Sequence, residues 1–114
     1  MGYDPGFETL LHEDLADALG PRTEELSDRK MFGGLCFMLN GNMLCGCHKR
    51  GLMYRVGKGN AAAALTLEGA QPMAFTGRPM GGMIELYEDD LDRDATRAGL
   101  LRHALDFVDA LPPK

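Results

Sequence analysis

The chain has 114 residues, 45% of them hydrophobic, with 12 basic against 17 acidic side chains and a net charge of −5. That size suits one hydrophobic core, and the apolar share excludes an intrinsically disordered chain. The acidic balance disfavours direct nucleic-acid binding, which draws its affinity from neutralised phosphates, and no apolar run reaches the roughly 18 residues that span a bilayer.

Met1-Gly2-Tyr3-Asp4-Pro5 lacks the basic start and apolar core of a signal peptide, so the chain reads as cytoplasmic, with no membrane contact. Three cysteines, an odd number in a chain of that kind, argue against a disulfide framework. Phe7, Leu10, Leu11, Leu15, Ala18 and Leu19 recur at helical spacing, with Glu8, His12, Glu13 and Asp17 on the other face. Asp4-Pro5 suits a helix entry and Gly20-Pro21 an exit, so the spacing predicts a first helix over about 5–19. Thr23 to Asp28 is polar and reads as a connector, and Arg29 to Phe32 opens a first strand. Gly33-Gly34 marks a bulge, a bend or a close backbone approach.

Strands follow at about 35–39, 43–48 and 52–56, the last two joined by His48-Lys49-Arg50-Gly51. Gly57-Lys58-Gly59-Asn60 breaks the pattern, and Asn60 is placed to cap a short Ala-rich helix over about 60–66. Met73-Ala74-Phe75 is a short extended piece, Gly77-Arg78-Pro79 a turn, and Met83 to Tyr87 the next strand. After the acidic run Glu88-Asp89-Asp90 comes a long helix with its apolar stripe on Leu100, Leu101, Ala104, Leu105, Phe107, Val108 and Leu111. Asp92 or Asp94 would cap it, and Pro112-Pro113 stops it. The whole reads as one domain over 1–114, α+β, in two layers: a mostly antiparallel sheet of about five strands with N- and C-terminal helices and a short middle helix.

The segment around Asn40-Gly41 is the most informative. Asn-Gly accepts positive φ at both centres of a type I′ turn, which makes Leu39 face Asn42 and sets Cys36 opposite Cys45. Leu35, Phe37, Leu39 and Leu44 then point one way, as core under the helices. Cys36, Met38, Met43, Cys45 and Cys47 point the other way and form a second apolar face. Such a face is an expected interaction surface, for a homodimer or another protein partner, unless a segment of the same chain covers it.

At Met31-Phe32-Gly33-Gly34, Asn40-Gly41 and Leu52-Met53-Tyr54-Arg55-Val56-Gly57, the chain resembles the N-terminal domain of the TfoX/Sxy family. The resemblance continues through Pro72-Met73-Ala74-Phe75 and Gly77-Arg78-Pro79-Met80, and covers most of the chain. It implies a helix-flanked antiparallel sheet and a regulatory role, linked in the family to bacterial competence genes, with no catalytic residues to carry over. Full-length members add a C-terminal helical domain, so with the chain stopping at Lys114 the expectation is an N-terminal domain alone.

Three motifs invite chemistry. Cys36, Cys45 and Cys47 are weak metal candidates, because zinc sites usually space their cysteines on turns, and His48 points away from Cys45 and Cys47. A strained cross-strand bond between Cys36 and Cys45 is a redox option. Gly77-Arg78-Pro79-Met80-Gly81-Gly82 lacks the Gly-Lys-Ser/Thr ending of a phosphate loop, although Arg78 there is a candidate anion contact. The expectation is therefore a non-catalytic binding or regulatory domain without cofactor, acting through protein contacts. The alternative is a cysteine-based metal or redox protein, or a small enzyme.

Overall fold

Asp4 opens the first helix: its side chain accepts a 2.8 Å hydrogen bond from the Gly6 N–H, and Pro5 follows in the first turn. Helix α1 spans Pro5–Leu19 and buries Phe7, Leu11, Leu15 and Leu19 along one stripe. The remaining elements, in a computed structural model, are strands β1 (Leu26–Met31), β2 (Gly34–Leu39), β3 (Asn42–His48) and β4 (Gly51–Arg55), helix α2 (Ala61–Ala64), strands β5 (Ala70–Phe75) and β6 (Arg78–Tyr87), and helix α3 (Asp94–Val108). The structure describes residues 3–31, 33–75 and 78–114, without the side chains of 75 and 78–80.

The six strands form one antiparallel sheet in the order β1-β2-β3-β4-β6-β5. The α+β architecture is as expected, with six strands where about five were read. Helices α1 and α3 lie together on one face, over β3 and β4. Leu35, Phe37, Leu39, Leu44, Leu52, Tyr54, Ile84 and Leu86 meet them there.

Several local expectations are corrected. β1 spans Leu26–Met31, so the strand expected from Arg29 begins three residues earlier, inside the stretch read as a polar connector, while Phe32 lies outside the described residues. β1 is an edge strand whose central residues Ser27 to Lys30 are exposed, so it has no apolar alternation to reveal its start. The middle helix is a single turn, and Asn60 does not cap it; its side-chain amide donates instead to the His103 carbonyl. Neither Asp92 nor Asp94 caps α3, because Arg93 occupies that position. Asp94 lies in the first turn, where it accepts from Arg97 at 2.8 Å. Of the turn placed at Gly77-Arg78-Pro79, Gly77 lies outside the described residues, while Arg78 and Pro79 begin β6.

Long-range ties close the molecule. Arg97, buried in α3, donates to Asp14 of α1 at 2.9 Å and also to the Leu91 carbonyl. The segment after α3 is strapped to the β2–β3 turn: Asn42 donates to the Pro112 carbonyl and the Lys114 N–H to the Asn40 carbonyl, each at 2.9 Å. Arg22 pairs with both Glu25 and Asp109 nearby.

Candidate interaction site

The β2–β3 turn is the expected one. Asn40 has φ 52° and Gly41 φ 85°, and Leu39 faces Asn42. Beyond it the register shifts. Met38 faces Met43, but Phe37 faces Cys45, so Leu44 is an extra residue on β3. A bulge of this kind puts two consecutive residues on one side and reverses the alternation after them. Leu44 and Cys45 thus both enter the core beneath the helices, and Cys47 follows them. Cys36 faces Gly46, not Cys45.

The cysteines expected on one face are therefore divided. Cys36, Met38 and Met43 remain on the side away from the helices, joined by Met53, Met73 and Met83, with Met31 against them. Cys45 and Cys47 are on the other side. The two sulfur groups cannot converge on one ion, and the cross-strand bond between Cys36 and Cys45 that the sequence left as an option has no matching geometry. Among the described residues, no three His, Cys, Asp or Glu side chains are grouped to hold a metal. All three thiols are fully buried. Burial pushes Cys36 and Cys47 up to about 11 and raises Cys45 as well, which keeps them as neutral thiols at physiological pH.

The second apolar face, read as an interaction surface unless the same chain covers it, is buried within the single chain. Met38, Met43 and Met83 are 7%, 8% and 7% accessible, and Met53 and Met73 almost none, within the single chain. Its polar end holds a buried cluster. Register places His48, Met53 and Glu85 on this side of β3, β4 and β6. His48 Nδ1 accepts from the Arg50 backbone N–H at 3.1 Å, which leaves the proton on Nε2 of a neutral ring. Nε2 lies 2.8 Å from Glu85 Oε2, but off the direction a hydrogen bond requires, so it has no hydrogen-bond partner. Arg50 reaches the same Glu85 oxygen at 3.0 Å. Burial lowers the His48 pKa more than the Glu85 charge raises it. Sequence reasoning missed this cluster, because Glu85 is 35 positions from Arg50 and farther still from His48.

At the other end the face opens into a cleft of about 620 Å³. Met31, Met43, Met83 and the Phe107 ring supply its apolar lining, with Arg55 and Lys58 as its cations. Glycines let the backbones meet here. A Cβ on Gly57 would run into the Phe107 ring, and one on Gly82, which has φ 82°, would come within 3.0 Å of the Gly57 backbone. The Arg55 guanidinium carbon lies over the Phe107 ring, 5.3 Å from its centroid. Arg78, the expected anion contact, belongs to β6, but its side chain lies outside the described ones.

A family model described as the TfoX N-terminal domain matches residues 17–108. Neither the curated proteins nor the solved structures give a match.

Proposed function

Because the chain belongs to the TfoX N-terminal domain family, we propose that it is a non-catalytic regulatory domain, acting as one unit in the cytoplasm through a homodimer or a protein partner. Regulation of gene expression, in the manner of competence control, is the process this reading assigns. The family match carries it, since it spans residues 17–108 of the 114. The thiol chemistry supports it against the cysteine-based alternative. Neutral, fully buried sulfurs on opposite sides of a sheet make poor metal ligands and poor nucleophiles. The surface that meets the partner is not the whole methionine face, which is already buried; the exposed edge strand β1 and the rim of the cleft remain open to contact.

Deletion in the source cell, followed by transcript profiling and in-cell crosslinking to the wild-type chain, tests this. A reproducible crosslinked partner and a transcript change restored by the wild-type chain are expected. An unchanged profile together with a monomeric mass at micromolar concentration would overturn it. Stoichiometric zinc in protein purified without chelator would overturn the non-metal reading, and salt-dependent DNA affinity would replace protein contact with direct binding.

A further inference from the structure

The cleft has the build of a small-molecule site. Its volume, about 620 Å³, lies inside the range of roughly 300–1,000 Å³ typical of ligand pockets. Its apolar walls are thioethers and one aromatic ring, which adapt to a flat or chain-like body. Among the described lining residues both ionisable groups are cations, in a chain whose net charge is −5. Neither Arg55 nor Lys58 has a carboxylate partner among the described residues, although Arg22, Arg50, Arg93 and Arg97 all do.

The geometry of the two cations is also specific. The Arg55 guanidinium carbon lies over the Phe107 ring, 5.3 Å from its centroid, a cation–π contact that holds the cation at the cleft wall, and a guanidinium can grip a carboxylate in bidentate fashion. Lys58 follows the positive-φ Gly57, and its stem crosses Gly81, where an added Cβ would come within 2.9 Å of the Lys58 Cε. Glycine at 81 thus leaves room for the lysine stem beside the cleft. An apolar body would lie against Met43, Met83 and Phe107, with an anionic head at Arg55 and Lys58.

We propose that this cleft binds a small amphipathic carboxylate, with its apolar body among Met43, Met83 and Phe107 and its carboxylate held by Arg55 and Lys58. This goes beyond the regulatory reading and does not depend on it: it gives the domain a small effector, whatever protein it meets.

The test uses the full chain with ¹³C-labelled methionine methyl groups, titrated with 2-naphthoate and, separately, with the uncharged 2-naphthalenemethanol. Naphthoate is expected to shift the Met43 and Met83 signals saturably below millimolar concentration and to bind at least tenfold more tightly than the alcohol. Lys58→Gln, a change on an exposed turn, is expected to weaken naphthoate about tenfold and leave the alcohol unchanged; Arg55→Gln is expected to do the same. Absence of saturation, equal affinity for the two probes, indifference to Lys58→Gln, or shifts centred away from Met43 and Met83 would each overturn the proposal. So would a doubled mass without probe that Lys58→Gln abolishes, because a second copy would then occupy the cleft.

Discussion

The two faces of the sheet are built from different side chains. Beneath α1 and α3 the core is leucine, phenylalanine and tyrosine, and Leu11, Leu44, Leu52 and Leu100 are wholly inaccessible. On the far face the cluster consists of one cysteine and five methionines, drawn from strands alone. Branched and aromatic groups have few rotamers and hold helices at fixed positions. Methionine has three rotatable bonds and repacks at small cost. One sheet thus carries a side that fixes the fold and a side that can accommodate change, and the cleft opens on the second.

The largest expected effect comes from the residue that separates the faces. Deleting Leu44 removes the bulge but keeps Met38 opposite Met43 and Phe37 opposite Cys45, so the residues after it stay on their sides and the core loses a fully buried leucine. The expected outcome is a thermal melt, monitored by circular dichroism, that stays cooperative but falls by the equivalent of about 4 kcal/mol or more. A deletion variant that melts without cooperativity would show that the bulge itself holds the two faces apart.

Next is a matched pair of substitutions. Leu100→Ala should destabilise by about 3 kcal/mol, because a fully buried leucine leaves a cavity that rigid neighbours do not fill. Met83→Leu, at the cleft, should change stability by less than about 1.5 kcal/mol. Urea denaturation measures both, and equal losses would erase the contrast between the two sides.

The thiols give a kinetic version of the same comparison. None should react with a water-soluble disulfide reagent in the native state at pH 7.5, since all three are buried and protonated. Cys36, on the adaptable face, should be the first to react as urea is raised below the unfolding midpoint. Simultaneous reaction of all three would show that the faces open together.

The smallest effect is a pH dependence. Burial depresses the His48 pKa beneath the ordinary 6.5, so the unfolded chain binds its proton first as pH falls. Stability contributed by the neutral ring is complete above that value and declines as pH drops from it toward the folded pKa. The neighbouring charges are Glu85 and Arg50, which oppose each other. His48→Gln should flatten the change in urea midpoint between pH 7 and pH 5.5, and an unaltered slope would remove His48 as its source.

What the sequence revealed depended on whether a residue had an alternative environment. Phe7, Leu11 and Leu15 repeat at a helical period, and α1 matched its reading of 5–19 at both ends. Asn40-Gly41 has one natural conformation, and the turn formed as read. The bulge was hidden because Leu44 and Cys45 are apolar and satisfy either face, so no polar residue marked the shift. The start of β1 was hidden for the opposite reason: edge strands are solvated, and Ser27 and Asp28 look like a loop. Arg97 and Asp14 are 83 positions apart, so only the packed helices bring them together. The cleft was invisible for the same reason: its lining comes from four strands, a turn and a helix.

The strap after α3 has a mechanical consequence. Force applied at Lys114 would reach the β2–β3 turn at once, through the Asn40 carbonyl and the Asn42–Pro112 contact. A tether placed there would pull on two hydrogen bonds before it loaded α3. The site would therefore yield in steps, and the length gained before the sheet gave way would be set by how few residues separate Pro112 from the end of the helix.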